Sequence, residues 1–119
     1  MAEHKFDMDP FFVEPNLKHK SVTLSVRNQD TMTWFAKKPF TIFRFQPKDD
    51  KKNAPYPFHF DPAMELESEE GTDGIWRINS GPPRKEAIGF GYEAKFRHGT
   101  RRSPAAQAAQ GDPDVDIGP

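Results

Sequence analysis

Apolar and polar residues alternate with a period of two along several short stretches of this 119-residue chain. The clearest is residues 88–97. Phe90, Tyr92, Ala94 and Phe96 fall on one side of an extended chain, and Gly91, Glu93, Lys95 and Arg97 on the other. That period marks a half-buried strand. Residues 21–27 repeat it, with Val22, Leu24 and Val26 inward. Asn28, Gln29 and Asp30 are turn residues that can bond their own backbone, and residues 31–35 return as a second strand. Around residue 77, Trp76, Ile78 and Ser80 alternate with Ile75, Arg77 and Asn79, until Pro82 and Pro83 end the strand. Val115 and Ile117 form the last strand, with Asp114 and Asp116 pointing away from the body.

Residues 40–46 break the pattern. Phe40 and Ile42 share one face, while Thr41, Phe43 and Phe45 share the other. Either both faces are covered or a bulge shifts the phase near Ile42. Phe58 and Phe60 flank an outward His59 and predict a further short strand. Residues 65–74 read as a loop or a weak turn of helix. Ser103, Pro104 and Gly111 are start and stop signals for a short helical turn within a mobile 99–112 loop. Pro10 and Pro15 predict an irregular arm over residues 1–19, which Phe6, Phe11, Phe12 and Val13 would pack onto the body or onto a partner. The expected domain is then residues 20–119: an all-β, antiparallel Greek-key sandwich of six to eight short strands.

Composition limits the core. Leu, Ile, Val and Phe supply 23 residues, about the level at which disorder becomes plausible. Eleven of them are Phe, however, and each buried ring removes on the order of 150–250 Å² from water. With a net charge of −1 there is little self-repulsion, so a thin aromatic core can form. Charge is unevenly placed: residues 1–60 carry ten Lys/Arg and seven Asp/Glu, residues 61–119 seven and eleven, and Asp61, Glu65, Glu67, Glu69, Glu70 and Asp73 form one acidic segment. Such a run reads first as a solvated loop. It lacks the alternating ligands and closing Glu of a calcium loop. No basic stripe points to nucleic acid. No apolar stretch is long enough to span a membrane, and residues 1–10 do not read as a secretory signal, so a cytoplasmic protein is expected.

Beyond the periodicity, particular segments resemble a known family. These are Val22-Thr23-Leu24-Ser25-Val26, Asp30-Thr31-Met32-Thr33-Trp34, Pro39-Phe40-Thr41-Ile42, Gly91-Tyr92-Glu93-Ala94-Lys95-Phe96 and Asp112-Pro113-Asp114-Val115-Asp116-Ile117. Over residues 20–119 they resemble the cupredoxin-like, immunoglobulin-like β-sandwiches, in particular a group of small bacterial proteins with a copper-free version of that fold. Blue-copper sites need a Cys beside two His and often a Met. This chain has no Cys, and Ile78-Asn79-Ser80-Gly81-Pro82 stands where the resemblance would place one. Type 1 copper electron transfer is excluded, and no cofactor is expected.

Other chemistry is sparse. His59 with Asp61 and Met64 is the only compact group of ligand character, and it reads first as a surface His beside a turn Asp. His4, His19 and His98 are isolated. Ser80 lacks a Gly-x-Ser-x-Gly frame and a His partner, and reads as a turn serine. Glu69 and Glu70 have nothing to push their pKa values apart. Arg101-Arg102-Ser103-Pro104 matches a short kinase-site pattern, a match that also arises by chance. An enzyme is not expected. Aromatic residues exceed what one thin core needs, so Trp34, Phe43, Phe45, Tyr56, Trp76, Phe11 and Phe12 are the candidate binding residues. The first expectation is a non-catalytic interaction module, or accessory subunit, with a protein partner. The second is a sandwich that binds a sugar or aromatic ligand, with Trp34 or Trp76 as stacking platform.

Overall fold

The computed structural model describes residues 2–13, 21–48, 53–102 and 113–119. They form β1 (Glu3–Asp7), α1 (Asp9–Val13), β2 (Val22–Ser25), β3 (Thr31–Ala36), β4 (Phe40–Pro47), β5 (Leu66–Glu67), β6 (Glu69–Glu70), β7 (Trp76–Asn79), a 3-10 turn at Lys85–Ala87, β8 (Gly91–His98) and β9 (Asp114–Gly118). One sheet has the order β1-β3-β7-β6 and the other β2-β9-β8-β4-β5. The all-β sandwich expected from the period-two segments is the observed architecture.

Its details depart from the expectation in four places. Two of the pairings, β1 with β3 and β2 with β9, are parallel rather than antiparallel. A residue pattern reports that a segment is extended, not its direction, and parallel neighbours need long connections that leave no turn signal. β2 and β3 do not pair with each other: the turn between them is an arch from one sheet to the other. Residues 3–13 are no irregular arm. Glu3–Asp7 pairs along its whole length with β3, and Phe11 is 3% exposed. Finally, residues 58–60 form bends instead of a strand, while the segment expected as a loop supplies β5 and β6, so the described residues hold nine strands. The helical turn expected at residues 103–111 lies outside the described residues.

The phase conflict in β4 is resolved by a bulge. The register against β8 slips between Ile42 and Arg44, so Ile42 and Phe45 both face the core while Phe43 is 37% exposed. An extra residue restores inward facing on both sides of the slip. Rings fill the interior in two clusters. Trp34 packs with its centroid 5.7 Å from Phe45 and 6.2 Å from Phe58, and Phe45 lies 5.8 Å from Tyr56. Phe11 meets Phe6 at 5.7 Å and Phe96 at 6.2 Å, and Phe12 lies against Phe40, Phe96 and His98. Burial raises the Tyr56 and Tyr92 hydroxyls to about 12, and the Tyr92 hydroxyl donates to the Pro55 carbonyl at 2.5 Å. No buried side-chain N or O among the described residues lacks a hydrogen-bond partner, as a stable core of this size requires.

Candidate site at the corner between the two sheets

One short segment, residues 66–70, is the edge of both sheets. Leu66 and Glu67 add to β4 opposite Ile42 and Thr41, and Glu69 and Glu70 add to β7 opposite Arg77 and Trp76. Between them, buried Ser68 turns the chain from one sheet to the other. Its N–H donates to the Phe40 carbonyl at 3.0 Å, and its hydroxyl accepts the Phe40 N–H at 2.9 Å. A small side chain that can satisfy backbone groups suits such a corner.

The corner opens into a cleft of about 500 Å³. Glu67, Glu69, Glu70 and half-buried Trp76 line it on the strand side, and Thr100 and Arg102 on the other. The turn bearing Thr100 is tied down. The Thr41 hydroxyl donates to the Gly99 carbonyl at 2.7 Å, and the Gly99 N–H donates to the Pro39 carbonyl at 2.8 Å. Gly99 has φ +83°, a left-handed conformation that favours glycine. Trp76 stands opposite buried Ala36 on one side and Glu70 on the other. Trp76 is half-buried, packed against the core on this face.

The carboxylates of this segment divide into two kinds. Glu65 pairs with Arg97, whose guanidinium also lies 5.8 Å over the Phe43 ring. Glu67 accepts the Arg101 N–H at 2.6 Å. Asp73 accepts from both terminal nitrogens of Arg77, which with the Ile75 N–H holds its carboxyl down at about 2. Asp61 accepts the Ala63 N–H at 2.9 Å. The Glu69 and Glu70 carboxylates make no hydrogen bond or ion pair among the described residues, and both residues are exposed.

The candidate aromatic residues are dispersed. Trp34, Phe45 and Phe11 are 1%, 6% and 3% exposed. They are core residues and present no open face for stacking, because a chain with few aliphatic residues builds its interior from rings. Phe12 is half-buried on the ring cluster of Phe40 and Phe96. Tyr56 lines a smaller pocket, about 260 Å³, with Phe45, Arg44 and Pro55. Phe43 is exposed beside the bulge. Trp34 is sealed in the core, whereas Trp76 lines the cleft. Glu69, Glu70, Thr100 and Arg102 were not among the sequence candidates. The signal for the carboxylates in the sequence is the acidic segment from Asp61 to Asp73, which also fits a solvated loop.

Other groups are occupied. The Ser80 hydroxyl accepts the Met32 N–H at 2.9 Å and donates to the Gly81 carbonyl at 2.7 Å, a turn serine. No three His, Cys, Asp or Glu side chains cluster for a metal among the described residues. No helix among them is long and apolar enough to cross a membrane. Beyond Ile42 the outer side of β4 has no strand partner, but the bulge, Arg44 and Pro47 are features that discourage further pairing there. No protein-family model and no curated protein sequence matches this chain.

Proposed function

We propose that this protein is a non-catalytic interaction module that engages a protein partner through the β5–β6 corner. The observation that carries the reading is the 500 Å³ cleft in which a half-buried Trp76 stands beside Glu69 and Glu70. A half-buried tryptophan at a concave, polar-rimmed site is the composition of interaction anchors. A module of the copper-free cupredoxin-like kind, acting in the cytoplasm without a cofactor, fits both the resemblance and the absence of Cys. The test is partner recovery from the cells that make the protein. Tagged wild type should bring down a stoichiometric partner, and Trp76→Leu, which keeps apolar bulk, should lose it while melting within a few degrees of wild type. Equal recovery by Trp76→Leu contradicts the proposal.

A second reading is favoured by the same indole. A cleft of this volume lies in the range of small-molecule sites, and an aromatic face with carboxylates and the Thr100 hydroxyl nearby suits a sugar. Saturable change in Trp fluorescence with a free saccharide, without any protein partner, would select it.

A further inference from the structure

Resting on the interaction reading, we infer that the segment captured at this corner is cationic. It is an extended stretch of a partner protein that places one lysine or arginine over Trp76, beside Glu70, and lays its backbone along the outer edge of β6, the last strand of its sheet among the described residues. Three observations converge. First, Glu70 is the direct cross-strand neighbour of Trp76, so the two side chains leave the same face of the sheet about 5 Å apart. A cation over the indole would meet the ring face and a carboxylate together, and the two attractions favour the same ligand. Second, the cleft walls carry three carboxylates, Glu67, Glu69 and Glu70, against the one guanidinium of Arg102. Of the other acids of the segment, Glu65 pairs with Arg97 and Asp73 with Arg77. The Glu70 carboxylate, on the face of Trp76, thus has no cation beside it among the described residues, while Glu69 stands opposite Arg77 on the other face. Third, β6 ends its sheet. A terminal strand offers backbone donors and acceptors to an added strand, and its two carboxylates repel acidic segments while admitting basic ones.

The test is a titration of full-length protein with a blocked peptide, Thr-Val-Arg-Val-Thr, against its citrulline counterpart, which keeps the shape and removes the charge. Binding is read by calorimetry and by Trp fluorescence. The arginine peptide should bind saturably and the citrulline peptide at least about tenfold more weakly. The double variant Glu69→Gln/Glu70→Gln, whose sites are exposed, should weaken the arginine peptide by about tenfold or more, and Trp76→Leu should do likewise. Glu86→Gln, on the 3-10 turn outside the cleft, should leave it unchanged, and added salt should weaken wild-type binding. Equal affinity for the two peptides, no binding of the arginine peptide up to about 1 mM, or indifference to Glu69→Gln/Glu70→Gln overturns the inference. If the cationic peptide fails while partner recovery still depends on Trp76, the interaction reading stands and only the cationic partner is wrong. If recovery does not depend on Trp76, the interaction reading itself fails.

Discussion

The two long sides of this sandwich are finished differently. At one side lie the edge strands β1 and β2, each paired in parallel with its neighbour. There the Asp30 carboxylate accepts from the Ser25 N–H at 3.0 Å, the Ala2 N–H at 3.2 Å and the His4 ring at 3.3 Å. One side chain, 6% exposed, joins β1 to the arch between β2 and β3. At the other side lie β5 and β6, each two residues long. There Ser68 holds the backbone, Trp76 is half-buried, and the Glu69 and Glu70 carboxylates have no partner among the described residues. Polar groups are satisfied at the first side, while at the second, the proposed interaction surface, two carboxylates without a side-chain partner among the described residues border half-buried Trp76.

The largest test of that contrast is Phe11→Ala. If residues 3–13 are part of the sandwich, removing this buried ring should cost about 3–5 kcal/mol in denaturant unfolding. A dispensable arm would give almost no change. Next is Asp30→Asn, which should lower Tm by several degrees at neutral pH. The Ser25 N–H, the opposing cost of burial, and the His4 and Ala2 bonds leave the Asp30 pKa below its ordinary 3.8. A depressed carboxylate stabilises above its unfolded pKa and loses that contribution as pH falls through the folded value. The gap between wild type and Asp30→Asn should therefore be full above about pH 5 and narrow below about pH 4. A gap that widens in acid would show that the carboxylate is not the tie.

Smaller effects follow on the outer face near β2. The Lys48 ammonium reaches the Asp114 and Asp116 carboxylates at 3.1 Å and the Ser21 hydroxyl at 3.0 Å. It crosses Gly91, where an added Cβ would lie 2.3 Å from the Asp116 carboxylate. Lys48→Met should cost at most about 1 kcal/mol, given its partial exposure. Gly91→Ala should force Asp116 aside and break part of the same contact, so the two changes together should cost less than their sum. Smallest is Glu69→Gln/Glu70→Gln, expected within about 0.5 kcal/mol of wild type in stability. A clear loss there would mean that these carboxylates support the fold and that the two sides are alike.

Much of the scaffold was legible because its central strands alternate. Tyr92, Ala94 and Phe96 in β8, Ile78 in β7, and Val115 and Ile117 in β9 face inward as their period demands, and the broken phase at Ile42 marked a true bulge. β1 was missed because an edge strand needs little apolar content: Phe6 is the only apolar residue among its five. β5 and β6 are too short for any period to register. The two tryptophans show the limit for the site. Both sit in alternating segments, yet Trp34 is sealed by Phe45 and Phe58 while Trp76 borders a two-residue strand. That difference depends on neighbours distant in sequence, so local pattern could not assign it.

The most direct measurement compares partner recovery by two variants, one from each side. Trp76→Leu with Glu69→Gln and Glu70→Gln should abolish recovery at a temperature where all proteins are fully folded. Asp30→Asn, despite its lower Tm, should retain it. Retention by the Trp76 variant, or loss by Asp30→Asn alone, would contradict the assignment of the β5–β6 corner as the binding surface.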